Sequence, residues 1–150
     1  MSAFTDYAEN QFTDWFFRGQ PLTPPATLYF ALMTATPTDA AAGTEVVVSA
    51  GTNYSRPSVA ASLANWAGTQ SAGSTTASTG TGGTTSNNGV ITFPVPGTTN
   101  WGVIVGVALM DAPSGGNIWI YGALTTSKTV NAGDPAPVFS AGDFQFQWDN

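Results

Sequence analysis

The chain has no histidine and no cysteine, and its basic residues are three: Arg18, Arg56 and Lys128. Without cysteine there is neither a disulfide scaffold nor a thiolate nucleophile. Without histidine, the side chain that titrates nearest neutrality is missing, so proton transfer would fall to carboxylates. Three scattered cations cannot displace the counterions of a phosphate backbone, which excludes nucleic acid as a partner. The net charge of −6 likewise disfavours an anionic membrane surface. Only 8% of residues are charged, against about 25% in an ordinary globular protein. Long apolar runs are also lacking, and no stretch approaches the ~18 residues of a membrane span. Residues 1–11 lack the basic start and apolar core of a signal peptide. The expectation is a chain kept in the cytoplasm, or one that leaves by another route.

What is present is nine Phe, five Trp, four Tyr and seventeen Gly, with many Ser and Thr. At 150 residues one domain is expected, burying about two thirds of its unfolded surface. A surface so poor in charge is expected to face other protein, with Ser and Thr as the alternative means of solvating it. These are materials for strands, turns and packed surfaces. Function by shape and adhesion is expected over enzymatic chemistry, with no cofactor.

Residues 3–18 read as a helix. Phe4, Tyr7, Ala8, Phe12, Trp15 and Phe16 recur at helical spacing, with Asp6, Glu9, Asn10, Thr13 and Asp14 largely opposite. Ser2 is the expected cap at its start and Gly19 at its end, and the acids lie early with Arg18 last, as the helix dipole favours. This aromatic stripe docks either on the chain's own sheet or on a neighbouring subunit. Pro21, Pro24 and Pro25 then give an extended linker. The remainder reads as about eight strands. Residues 27–33 are apolar on both faces and so central, 45–49 form a short β-branched run, and 54–66 hold an edge strand marked by Pro57. Residues 90–95 and the run from Trp101 to Met110 follow. A hairpin turn at 111–117 leads to a return strand over 118–124, with Trp119 and Tyr121 on one face and Ile118 and Ile120 on the other. Asp134-Pro135 marks a further turn. In the last strand Phe144, Phe146 and Trp148 alternate with Asp143, Gln145, Gln147 and Asp149, one buried face and one wet face. Residues 67–89 have no charge and no aliphatic larger than Ala. Alone they read as a mobile loop, ordered either by a packed assembly or against their own domain. The expected architecture is a single mainly-β sandwich, with a jelly roll as one form of it, an N-terminal helical arm over 1–20 and a sandwich domain over 21–150.

No arrangement of residues signals catalysis. Asp6 and Glu9, one helical turn apart, read as a solvated face, and Asp111, Asp134 and Asp143 sit beside turns, where Asp caps backbone. Calcium would need six to eight converging oxygens, and no D-x-D-x-D-G run exists, so no metal site is expected. The Gly80–Gly83 stretch shares only its glycines with a phosphate loop, which also needs a following lysine. Asn53-Tyr54-Ser55 matches a glycosylation sequon by chance. Trp119, Tyr121 and Trp148 have three readings: core, subunit contact, or a platform for stacking sugar rings.

The segments SAFTDYAENQFTDWFFRG, TLYFALMTATPTDAAAGTEV, YSRPSV, ITFPVP, WGVIVGVALMDAPSGGNIWIYGALTTSKTVNAGD and DFQFQWD resemble a family of small virion structural proteins of tailed bacteriophages. The resemblance covers nearly the whole chain apart from residues 67–89. Members are often labelled tail-fibre proteins, and proteins of similar size and build serve as capsid cement. It implies a capsid cement or decoration protein on the outer capsid surface, assembled in the host cytoplasm. Its partners would be the major capsid protein and itself, as a homotrimer or homodimer. The alternative is a tail-fibre or tail-associated structural protein that contacts host glycans. Phe4, Tyr7, Trp15, Phe16, Trp119, Tyr121 and Trp148 are the expected interface residues, together with the 67–89 loop and the C-terminal strand.

Overall fold

A computed structural model describes residues 2–148; Asp149, assigned above to the wet face of the last strand, lies outside them. Ten strands and one helix occur among the described residues, and the strand pairs are antiparallel. The chain is mainly β and sandwich-like, as expected. In the larger sheet β2 (Thr27–Ala35) and β7 (Gly102–Met110) are central. On one side β8 (Ile118–Val130) and β1 (Ser2–Phe4) extend it, and on the other β3 (Thr44–Glu45) and β4 (Ser58–Ala60) share the far edge of β2. Two short pairs face it: β5 (Thr84–Ser86) with β10 (Gln145–Gln147), and β6 (Ile91–Thr92) with β9 (Val138–Phe139).

The two-sided apolar pattern of β2 explains its central place. Phe30 and Leu32 point into the main core with Ile104, Val107 and Leu109 of β7 and with Ile91, Phe93, Phe144 and Phe146 of the facing layer. Ala31 and Met33, one residue out of phase, enter a second cluster with Ala108 and Met110. A period of two thus splits one strand between two apolar faces. Gly106 is required where β7 crosses β8, because an added Cβ would meet Gly122 C=O at 2.9 Å and Thr36 Oγ1 at 3.1 Å.

Three expectations need correction. The helix, α1, spans Asp6–Arg18 and is capped by Thr5, whereas Ser2 belongs to β1, paired with Gly122. Thr5 fixes that boundary by donating its N–H to Trp119 C=O (3.2 Å) and its hydroxyl to Ile118 C=O, while accepting Ala8 N–H. Phe4 is therefore a strand residue beneath the helix. Second, Ile118 and Ile120 do not share a face. The register slips between the pairs Leu109–Ile120 and Met110–Ile118, leaving Trp119 as an extra residue, so Ile118 joins Tyr121 over the second cluster and Ile120 enters the main core. Third, the run at 45–49 is strand only as far as Glu45, and Val47 and Val48 are exposed. Thr52 turns the chain away there by donating its hydroxyl to Val47 C=O (2.7 Å).

Residues 67–89 make hydrogen bonds both within the segment and to their own domain. Gln70 bonds through Nε2 to Thr76 Oγ1 (2.8 Å) and accepts Thr79 N–H (3.2 Å), and Thr69 accepts Gly80 N–H (3.0 Å). Buried Asn87 then ties the segment to the final strand. It donates to Gly89 C=O (2.7 Å) and Ser140 C=O (2.8 Å) and accepts Phe144 N–H (3.0 Å). Hydroxyl and amide bonds supply the order that apolar burial cannot.

Candidate functional site

The sequence is rich in aromatics, and the fold divides them between packing and display. Phe4 on β1 meets Phe12 of α1 (5.2 Å between ring centroids), Phe146 of β10 (5.0 Å) and Trp148 (5.2 Å), mostly edge to face. Trp148 also packs on Phe146 (5.3 Å) and Phe12 (5.9 Å), yet remains 57% exposed. Edge-to-face pairs add about 0.5–1.5 kcal/mol each beyond their buried area. This rib joins the helix, the first strand and the last strand. Tyr7 closes the other flank of α1 against Trp119, at 5.3 Å and 84°.

Beyond Phe12 the helix runs past this support. Trp15, Phe16 and Phe17 are 50%, 72% and 79% exposed. Their rings brace one another, Trp15 to Phe16 at 6.1 Å and Phe16 to Phe17 at 4.9 Å, so they form one protrusion. Gly19 ends the helix in the left-handed conformation (φ 66°), and both its N–H and that of Gln20 turn back to Asp14 C=O.

Between the sandwich layers lies an apolar cavity of about 520 Å³. Leu28, Leu109 and Ile120 of the large sheet form one wall, Phe144 and Phe146 another, and Leu63, Trp66 and Trp148 its rim. No charged side chain lines it. Trp66 is one of its lining residues, and its indole N–H is covered by protein without an acceptor among the described residues.

Several charged groups close turns or pin strands. Asp111 accepts Asn117 N–H (2.7 Å), Asn117 Nδ2 (2.9 Å) and Trp119 Nε1 (3.2 Å), which closes the β7–β8 hairpin. Partial burial pushes its carboxyl up, but the bonds from Asn117 and Trp119 outweigh this and hold it below the ordinary range. Asp134 caps Asn131 N–H and Asp143 caps Ser140 N–H, each at 2.7 Å. Arg56 grips Glu45 through two bonds, Nε to Oε1 at 2.8 Å and Nη2 to Oε2 at 2.6 Å, and donates to Ala112 and Gly115 C=O. Hydrogen bonding to Glu45 raises the guanidinium's pKa further. Tyr54 links this pair to the sheet, accepting Leu32 N–H (2.8 Å) and donating to Glu45 (2.9 Å); burial and the Glu45 charge push its hydroxyl pKa well up. Among the described residues no three acidic side chains gather as metal ligands would.

The sequence-predicted residues fall into separate groups. Phe4 and Trp148 share the rib, Tyr7 and Trp119 pair with each other, and Trp15 and Phe16 stand in the protrusion. Tyr121 is tied by its hydroxyl to Asp39 (2.8 Å) over the second cluster. Trp119, Tyr121 and Trp148 form no common platform: Trp119 is buried against Tyr7, while Trp148 packs among phenylalanines. Phe17, the most exposed aromatic of the three, was missed because it falls off the helical stripe. Adjacent Phe16 and Phe17 were its signal, since neighbouring helix residues cannot both face inward. The cavity left no linear signal, because its lining comes from stretches far apart in the sequence.

An antiparallel sandwich with aromatics on display and carboxylates closing its turns has the build of a β-rich structural protein. The chain belongs to the family described as Podophage GP4 fiber I protein gp80, whose model matches residues 3–147. It is accordingly a bacteriophage virion structural protein. No curated protein matched it.

Proposed function

We propose that the chain is a non-catalytic subunit of a virion fibre or tail-associated assembly, acting by adhesion between rigid sandwich domains. The family described as a fibre protein supports this over capsid cement at the joints of major capsid subunits. The observation that carries the adhesive part is the protrusion at Trp15, Phe16 and Phe17, large aromatic surface held out by a helix braced on the sheet. Monomeric proteins seldom maintain contiguous apolar surface without a use for it. The aromatic arrangement gives no support to a sugar-stacking face, so contact with host glycans is not part of the proposal. Catalysis is not either, because Asp111, Asp134 and Asp143 each close a turn.

Quantitative mass spectrometry of purified virions tests the location. The fibre reading expects a copy number far below that of the major capsid protein. A copy number rising in step with capsid subunits would replace it with cement. Incubation with host polysaccharide is expected to release no new reducing ends. Release that vanished on Asp111→Asn, Asp134→Asn or Asp143→Asn would overturn the non-catalytic reading.

A further inference from the structure

We infer that the N-terminal arm, β1 with α1, is exchanged between copies of this chain, the arm of one copy docking on the sheet edge of another. The inference deepens the adhesive reading and rests on it. The seat is already defined, because each chain fills it with its own arm. β1 extends the sheet along β8 through the pairs Ala3–Tyr121 and Phe4–Ile120. Thr5 bonds to Trp119 and Ile118 C=O, Tyr7 packs on Trp119, and Phe4 meets Phe146 and Trp148. An arm arriving from a second copy makes these same contacts, so exchange needs no new docking surface. Filling the seat from either source also covers an edge of the large sheet.

The link between arm and body favours reach. Residues 19–26 join α1 to β2 and carry Pro21, Pro24 and Pro25, and Pro21, Thr23 and Pro24 are exposed. Proline holds such a linker extended at about 3.1 Å per residue, so it spans about 25 Å. Docking at home and docking abroad share every contact of the seat, so whatever differs between them decides the balance. Trp15, Phe16 and Phe17 lie just before this linker and are 50%, 72% and 79% exposed in the closed chain. In the exchanged form two bodies lie near these rings: the one on which the arm sits, and the arm's own, tethered within the linker's reach. The closed chain has only the first. Covering the rings with the second removes apolar surface from water, and this favours exchange.

The chain contains no native cysteine, so a disulfide placed across β1 and β8 reports where the arm sits. Ala3 and Tyr121 are Cα partners, and antiparallel partners stand about 4.5–5.5 Å apart, within disulfide range. Full-length Ala3→Cys/Tyr121→Cys protein at tens of micromolar is mildly oxidised and run on a denaturing gel without reductant. Most of the chain is expected in interchain species, a dimer for reciprocal exchange or a ladder for onward donation. Adding Phe16→Glu/Phe17→Glu is expected to return the disulfide to within one chain, because the covering that favours exchange is lost. Wild-type protein at the same concentration is expected to sediment as an oligomer. A monomeric wild type would overturn the inference, as would interchain links formed equally by either single-cysteine variant. An oligomer in which no disulfide crosses between chains would also overturn it, while leaving adhesion through another surface standing. None of these outcomes depends on copy number in the virion, so the location reading stands or falls separately.

Discussion

At the scale of single residues, this protein uses its few charges as pins. Arg56 has almost no exposed side-chain surface, and Glu45 is mostly covered. Together they join β3 to the tip of the β7–β8 hairpin. Removing one partner of a buried pair leaves the other uncompensated, which costs about 3–5 kcal/mol. Arg56→Ala is therefore expected to lower stability by about 3 kcal/mol in urea unfolding, with Glu45→Gln/Arg56→Met recovering part of that loss. Asn87→Ala would orphan the buried Phe144 N–H, and a loss of about 1–3 kcal/mol is expected in the same measurement. Asp111 predicts a pH effect. Its folded pKa lies below its unfolded value near ~4, so its stabilising contribution is present above that value and disappears as pH falls through the folded pKa. Acid titration of thermal stability should thus be shallower in Asp111→Asn than in the wild type. An unchanged acid limb would show that the hairpin does not depend on the charge.

At the scale of elements, register decides which side chains are available. The slip opposite Trp119 places Tyr121 beside Asp39 and sends Ile120 inward. Gly106 protects the neighbouring crossing, and Gly106→Val is expected to cost about 1–3 kcal/mol through overpacking, read as a fall in thermal midpoint. The two ends of α1 differ in kind. Its first turns are braced by Thr5, Tyr7 and Phe12, whereas its last turn leaves Phe16 and Phe17 largely exposed. Phe16→Glu/Phe17→Glu is expected to leave the thermal midpoint of the monomer within a degree or so, since exposed positions contribute about ±0.5 kcal/mol or less. Much of this was legible in the sequence: the helix end at Gly19, the central β2, the 111–117 turn and the inward Phe144 and Phe146. Helix start and strand slip were not, because both are set by bonds to residues more than a hundred positions away or on another strand. Thr5 to Ile118 is the clearest instance.

At the scale of the whole molecule, a chain of little charge carries ten strands and one overhanging helix among its described residues, with aromatic surface left on display. If that surface helps to hold copies together, stability should rise with protein concentration, because a partner that binds only folded chain shifts unfolding by mass action. Thermal unfolding over a hundredfold dilution is expected to show a falling midpoint in the wild type and none in Phe16→Glu/Phe17→Glu. Composition by itself settled the poverty of proton carriers and cations, and the aromatic and β-branched pattern settled a mainly-β core, because both depend on which residues exist and on their spacing along the chain. Tertiary structure alone decided which aromatics are spent inside and which stay out, and that Leu28, Trp66, Leu109, Ile120 and Phe146 surround one space. Those outcomes depend on how distant strands pair and where a helix outruns its sheet, and no local pattern of side chains encodes either.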